Sequence, residues 1–275
     1  MKRRPKANPV DVMRFRHRVV ELEEKYDKNR IFNMDETNFH LVNMKHLTWA
    51  VTGADAVNCY NQNDIKTSMT VIATIDREGG KLPLMLVAKG KRATSLTKYG
   101  NLVASGEVWA ALSESGWTKE SVMVNYLKRL SEYVNGEPCA LLLDVYAAHR
   151  TDRVKKLAEE LRIELAYIPP GCTDICQPLD ISVFAVLKGY ARHKWREWYH
   201  ENGEARMSWE TLLNHLVESW EEIRQSTILK GWEEYNFHGI DMANDDSDDD
   251  SSGIFSLYES LLSESSSEFD EQEFQ

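Results

Sequence analysis

In Ala140-Leu141-Leu142-Leu143-Asp144 a continuous apolar run ends abruptly in a carboxylate. Such a run suits a strand buried on both faces whose polar end emerges at the edge of a sheet. Residues 151–161 follow with helical spacing, and Glu164-Leu165-Ala166-Tyr167-Ile168 reads as a second strand, stopped by Pro169-Pro170-Gly171. A strand, helix and strand in this order imply a parallel pair, because the return crossover needs about a dozen residues or more. Upstream, residues 120–133 place Val122, Tyr126, Leu127 and Leu130 on one helical face. Earlier still, residues 69–75 and 82–88 are β-rich and separated by Asp76-Arg77-Glu78-Gly79-Gly80, which predicts an antiparallel hairpin. Residues 31–39 read as a first strand, with an amphipathic helix over 10–26 leading into it, and 181–199 and 209–223 carry the spacing of further helices. Hairpin strands first, a parallel pair second and helices last predict an α/β fold around a mixed sheet.

The 275 residues are 42% hydrophobic and 10% aromatic, enough to fill a globular interior and too much for a wholly disordered chain. The net charge of −11 is unevenly spread. Residues 241–275 hold twelve Asp and Glu and no Lys or Arg, which leaves residues 1–240 with 33 basic against 32 acidic side chains. The acidity therefore belongs to the tail, and an anionic partner stays open for the rest. Four Cys, no signal-peptide pattern and no 18-residue apolar run predict a soluble intracellular protein with reduced thiols. Met1-Lys2-Arg3-Arg4-Pro5-Lys6 fits a nuclear-import signal or a nucleic-acid arm, and equally a solvated terminus. Cys172 and Cys176 lack the four convergent ligands of a zinc site and read as buried thiols. No glycine-rich phosphate loop is present.

Asp35, in Ile31-Phe32-Asn33-Met34-Asp35-Glu36, would stand beside Asp144 if their strands are neighbours, since adjacent strands lie about 4.8 Å apart. Carboxylates that close repel unless a cation lies between them, so a divalent metal is one reading and a turn cap or exposed strand residue the other. On the metal reading, Asp144→Asn should hold or raise the stability of the metal-free protein. Asp180, in Gln177-Pro178-Leu179-Asp180, opens the long helix, where it either points back over the strand ends or complements the helix dipole. Trp195, Trp198 and Tyr199 fit core packing, with Arg192, Lys194 and Arg196 on a solvated face; stacking on nucleic acid is the other reading.

Residues 31–39, Leu141-Leu142-Leu143-Asp144 with His149, and the run from Tyr167 through Pro169-Pro170-Gly171-Cys172 to Gln177-Pro178-Leu179-Asp180, with Phe184 and Lys188, resemble the DDE superfamily endonuclease domain. The version is that of pogo and Tigger-like transposases and their jerky and centromere protein B relatives. Lys89-Gly90-Lys91 is similar to that family's basic step after its third strand, and Ser219-Trp220 through Gly231 to its closing helical motif. The resemblance implies a ribonuclease H-like fold: a five-stranded mixed sheet flanked by helices, with antiparallel strands one to three and parallel strands one, four and five, plus extra C-terminal helices. It also implies that Asp35, Asp144 and Asp180 are catalytic carboxylates holding two Mg²⁺ (or Mn²⁺) ions for DNA strand cleavage and strand transfer. His149 stands at the family spacing, where it orients a phosphate or Asp144.

Two departures support an alternative. Val145 follows Asp144 where the family usually has Asn or Gly, and few residues precede Asp35 to form the family's helix-turn-helix domains, so sequence-specific DNA binding is expected to be weak or absent. The alternative is a domesticated, non-catalytic nuclear scaffold that meets chromatin or protein through its acidic tail. The expected organisation is a basic segment and lead-in helix over 1–29, the endonuclease domain over 30–240 and a disordered acidic tail over 241–275. DNA phosphates are expected to meet Lys89, Lys91, Arg92, Lys188, Arg192 and Lys194. The partners to be sought are DNA, a further copy of the chain and a protein docked on the tail, with no membrane; the expected location is the nucleus.

Overall fold

Asn8 sits ahead of the first helix, its side chain accepting from the Val10 N–H at 3.1 Å, and Pro9 occupies the first helical turn where its missing N–H costs nothing. Helix α1 (Pro9–Lys25) then buries Val12, Phe15, Val19 and Leu22, a stripe at helical spacing. The computed structural model describes residues 7–40, 68–202 and 207–237. The basic run 1–6 and the acidic tail of the sequence reading lie outside these residues. The chain divides into one unit ending at Tyr235 and a second beginning at Asn236, so the description below concerns the first.

Strands β1 (Ile31–His40), β2 (Ser68–Asp76) and β3 (Met85–Lys89) pair antiparallel in succession. The β2–β3 turn is tied by Asp76, whose Oδ1 accepts from the N–H groups of Glu78 and Gly80 at 2.9 and 2.8 Å. The third strand starts later than its apolar run predicts, at Met85. Pro83 supplies no N–H for a ladder, which is a physical reason for the delay. A short helix α2 (Asn101–Ser105) leads to β4 (Trp109–Ser113), parallel to β3. This strand makes the sheet six-stranded where five were expected. Its Trp-Ala-Ala-Leu-Ser has alternate residues buried, as on a half-covered edge, and it lacks the β-branched residues that would have marked it in the sequence.

Helix α3 (Glu120–Tyr133) connects to β5 (Cys139–Asp144), then α4 (Asp152–Glu160) to β6 (Ile163–Ile168). Thr151 caps α4 by accepting from the Val154 N–H at 3.3 Å. Strand β5 is parallel to β1 on one side and to β6 on the other, and the order across the sheet is β4-β3-β2-β1-β5-β6. Among the described strands only β2 runs against the rest, so the other five point their carboxyl ends the same way.

After β6 come α5 (Thr173–Cys176), α6 (Phe184–Asn202), α7 (Trp209–Glu221) and α8 (Gln225–Phe237). One face of the sheet is packed by α1 and α5–α8 through Leu22, Leu142, Ile168, Leu187, Leu213 and Trp232. The other is packed by α3 and α4 through Phe32, Tyr126, Leu141, Leu143 and Val154. Cys139, Cys172 and Cys176 are buried free thiols, and Trp195 and Trp198 pack against the first of these clusters. The C-terminal helices are pinned by hydrogen bonds from two indoles and one ammonium. The Trp220 and Trp232 indole N–H groups donate to the Leu82 and Asp76 carbonyls at 3.0 and 2.8 Å, and Lys81 Nζ donates to the carbonyls of Trp220, Glu221 and Ile223 at the end of α7.

Candidate active site

The register places the first two carboxylates. Strands β1 and β5 pair Ile31 with Ala140, Phe32 with Leu141 and Asn33 with Leu142, so two residues further along each brings Asp35 level with Asp144. Side chains alternate along a strand. Ile31, Ala140 and Leu142 belong to the face covered by α1 and α5–α8, and Asp35 and Asp144 continue that alternation onto the same face. Glu36 continues the alternation of Phe32 and Met34 toward the opposite face.

The turn that carries Asp180 is tied to β1 by a chain of buried polar contacts, and Asp180 itself is exposed. The Asn33 side chain donates to the Leu142 carbonyl at 3.2 Å and accepts from the Leu179 N–H at 3.1 Å, while the Gln177 amide donates to the Met34 carbonyl at 3.3 Å. Asn33 and Gln177 are fully buried. They tie the Gln-Pro-Leu-Asp segment to β1 beside Asp35. Asp180 does not open a regular α-helix, as the sequence suggested. It lies in a wider π-helical turn, Leu179–Val183, that precedes α6. The turn is buttressed by α8: the Ser182 hydroxyl donates to the Thr227 carbonyl at 2.8 Å, and a Cβ on Gly231 would come within 2.5 Å of Ser182 Oγ and 2.6 Å of the Pro178 carbonyl oxygen. Gly231→Ala is therefore expected to cost about 1–3 kcal/mol of stability by overpacking and to shift the turn that carries Asp180. Thermal melting reads the first effect and the Mn²⁺ affinity of the folded variant the second; an unchanged melting temperature would mean that α8 yields.

The electrostatics differ sharply between the carboxylates. Asp35 is half-buried, and its carboxyl is pushed well above the usual range by desolvation first, then by the charges of Asp180, Glu36 and Asp144. Asp144 behaves oppositely. Burial pushes its carboxyl up, but hydrogen bonds from His149 and from the Tyr146 N–H at 3.0 Å outweigh that and hold it below the usual range. His149, on a single 3₁₀ turn (Ala147–His149) after β5, is fully buried. Its Nδ1 lies 2.8 Å from Asp144 Oδ1 and its Nε2 3.1 Å from Glu36 Oε1. Desolvation alone would lower its pKa; the two carboxylates overcome this and raise it to about 10, so both ring nitrogens are donors. The Tyr167 hydroxyl fixes the same turn by donating to the His149 carbonyl at 2.9 Å.

This arrangement corrects the stability expectation for Asp144. Its carboxylate is held by an attractive partner, so Asp144→Asn is expected to destabilise the metal-free protein, and the repelled, desolvated group is Asp35. It also adds Glu36, Asn33 and Gln177 to the site. The sequence signal that could have found them is the strand alternation for Glu36 and the long-range spacing of polar residues within apolar runs for the other two.

The donor chemistry suits a hard divalent cation, since Asp35, Asp144 and Asp180 offer only oxygen and Asp35 carries repulsion that a cation would relieve. Among the described residues no three His, Cys, Asp or Glu side chains stand as a ready ligand cage. One oxygen of Asp144 is turned to His149 and Tyr146.

The expected phosphate contacts fall into two groups. Lys89, Lys91 and Arg92 are exposed where β3 ends, with Lys91 3.4 Å from Glu114. Lys188 and Arg192, one turn apart on α6, line a groove of about 180 Å³ with Asn38, Phe39, Trp195 and Leu212. Lys194 faces elsewhere and is engaged by Glu218 of α7 and by Glu222, the residue that caps it, at 3.1 and 2.8 Å.

A family profile described as DDE superfamily endonuclease matches residues 66–232. The human protein called pogo transposable element with KRAB domain is 24% identical over 219 residues, covering 75% of this chain and 35% of that protein. A Cochliobolus lunatus protein named MFS-type transporter clz9 is 26% identical over 170 residues, covering 59% of this chain and 18% of that protein. The chain thus spans a minor part of these curated relatives. Among the described residues no helix is long and apolar enough to cross a membrane. The crystal structure of the Mos1 mariner paired end complex with Mn superposes with a TM-score of 0.54 at 16% identity, covering 85% of this chain and 62% of that one. The fold is therefore that of the ribonuclease H-like transposase catalytic domains.

Proposed function

The chain belongs to the DDE superfamily endonucleases, and from that premise we propose that it cuts and joins DNA strands as a pogo-like transposase catalytic domain or a derivative of one. The proposal names Asp35, Asp144 and Asp180 as the residues that hold two divalent ions, Mg²⁺ or Mn²⁺, and places the protein in the nucleus with its DNA. The observation that carries it is the common face: register puts Asp35 level with Asp144, and Asn33 and Gln177 tie the Asp180 turn to the same strand. In two-metal sites the ions supply activation of an attacking water or 3′-hydroxyl and stabilisation of the leaving oxygen. The chain's own residues supply the rest. His149 holds Asp144 ionised and oriented, Asn33 and Gln177 set the height of Asp180, and Lys89, Lys91, Arg92, Lys188 and Arg192 take DNA phosphates.

The test is a calorimetric Mn²⁺ titration followed by cleavage of DNA in Mg²⁺ or Mn²⁺, with Asp144→Asn as the control. Metal uptake and strand breaks in the parent protein, both lost in the variant, are expected. Cleavage that survives Asp144→Asn would remove this carboxylate from the site. A scaffold without catalysis is the second reading, favoured by the oxygen of Asp144 already committed to His149 and Tyr146. DNA binding with neither metal uptake nor cleavage would decide for it.

Binding through Lys89, Lys91 and Arg92 reads phosphates and not bases, so affinity should fall with salt at a log–log slope of about −0.9 for each phosphate neutralised. Changing Lys89 and Lys91 together to Ala is expected to flatten that slope by about two. An unchanged slope on duplex DNA would take both side chains off the DNA path.

A further inference from the structure

The groove beside α6 is joined to the carboxylates by two unbroken runs of chain. Along β1, Phe39 stands four residues past Asp35 on the same face of the sheet, about 13 Å away at the rise of a strand. Along the other wall, Lys188 and Arg192 follow Asp180 by eight and twelve residues, through the π-helical turn and into α6, about 12 and 18 Å at the rise of a helix. The groove is apolar inside. Phe39 and Leu212 are buried and Ala191 half-buried, and with Trp195 they line a volume of about 180 Å³. The Trp195 indole is stacked on Tyr199 one turn further on, with centroids 5.1 Å apart at 11°, which fixes its orientation as a wall. Lys188 and Arg192 put charge on the same groove. They are neighbours at i and i+4, and Lys188 Nζ is held over the Phe184 ring, 5.5 Å from its centroid. Among the described residues neither is ion-paired, whereas Lys194 on the same helix is engaged by Glu218 and Glu222.

We propose that this groove takes one unpaired nucleotide of the DNA strand that lies at the carboxylates, with its base against Trp195 and over Phe39, Ala191 and Leu212, and its flanking phosphates on Lys188 and Arg192. Two cations without carboxylate partners, set beside an aromatic and aliphatic recess, match a ligand that is anionic along its backbone and flat and apolar at its base. A nucleotide within a duplex cannot enter, because its base is covered by its neighbours on both faces and by the opposite strand along its edge. An extruded or single-stranded nucleotide can. A basic surface alone would hold duplex and single strand through their phosphates, so the recess is what distinguishes this site from ordinary backbone contact. Base–aromatic stacking tolerates any sequence, and the groove needs no base-edge readout. The inference rests on the endonuclease reading and deepens it by assigning a nucleotide subsite beside the carboxylates.

The experiment measures binding of the full chain, with chelator present, to two fluorescent strands of about twenty nucleotides: oligodeoxythymidylate, and an abasic strand with the same phosphates and no bases. The thymidylate is expected to bind at least about five-fold tighter, the lower end of what one stacked base contributes. Ala191→Leu, which fills the groove from its floor, should bring that ratio to within about two-fold, and so should Trp195→Ala. Neither should alter affinity for a duplex of the same length. Melting curves of each variant check the fold, and Ala191→Leu carries the test if Trp195→Ala loosens α6. Changing Lys188 and Arg192 together to Ala should weaken both strands alike and lower the log–log salt slope by about 0.7 for each phosphate released. Equal affinity for the two strands, a thymidylate preference that Ala191→Leu leaves intact, or an unchanged slope in the double variant would overturn the nucleotide site. The endonuclease reading is decided separately, by Mn²⁺ uptake and cleavage in the parent protein.

Discussion

Exchanging Asp35 for Asn is expected to abolish metal-dependent cleavage while making the metal-free protein more stable. Loss of activity of at least about 100-fold is expected, because groups one step removed from a metal already cost 10–100-fold. The gain in stability has a separate cause. Asp35 loses hydration and faces the charges of Asp180, Glu36 and Asp144, which a hydrogen bond from the Glu36 backbone offsets only in part. Its raised folded pKa means that the native state holds the proton more tightly than the unfolded chain does. Stability therefore falls as pH rises from the ordinary Asp range through the folded value, and the neutral amide removes that loss. A gain of about 1 kcal/mol, roughly 2–4 °C in melting temperature at neutral pH with chelator, is the expected reading. The difference between variant and parent should vanish in acid. A variant less stable than the parent at neutral pH would show that the Asp35 carboxylate is held by a favourable partner, against the balance of charges around it.

Removing His149 should act in the other direction. Its imidazolium joins Glu36 on β1 to Asp144 on β5, with the His149 side chain 1% exposed and those of Glu36 and Asp144 18% and 35% exposed. His149→Ala leaves two carboxylates without their shared cation and opens a cavity, a loss on the order of 3 kcal/mol. The parent's contribution from this group is fully present below the unfolded His value near 6.5 and disappears as pH rises through about 10. His149→Gln, which keeps volume and hydrogen bonding but no charge, should therefore flatten the alkaline limb of the stability profile. It should also weaken Mn²⁺ binding about 10–100-fold, because Asp144 is no longer oriented. Denaturant melts between neutral pH and pH 11 check the first effect. A His149→Gln profile that still falls in alkali like the parent's would place the titrating group elsewhere.

The elements were largely legible in the residues, since helix α3 and the strands β5 and β6 follow from apolar period and flanking turn chemistry, which are local. So was the class of fold, because a strand, helix and strand unit after a hairpin leaves few ways to build one sheet. Strand β4 was not, for its short Ala-rich run takes its conformation from pairing with β3. The three Asp were singled out by their places on the first strand, at the end of an apolar strand and in the Gln-Pro-Leu-Asp segment, and the family resemblance named a role for each.

The sequence by itself determined which segments are strands and helices, where the acidic residues gather and which carboxylates are candidates, because these depend on near neighbours along the chain. Only the tertiary structure decided that His149 bridges Asp144 to Glu36, 113 residues away, that Asn33 and Gln177 set the Asp180 turn across 146 and 143 residues, and that Asp35 bears the repulsion. Those outcomes turn on strand register and on which groups lose water together, and a shift of one residue in register would send Asp35 to the opposite face.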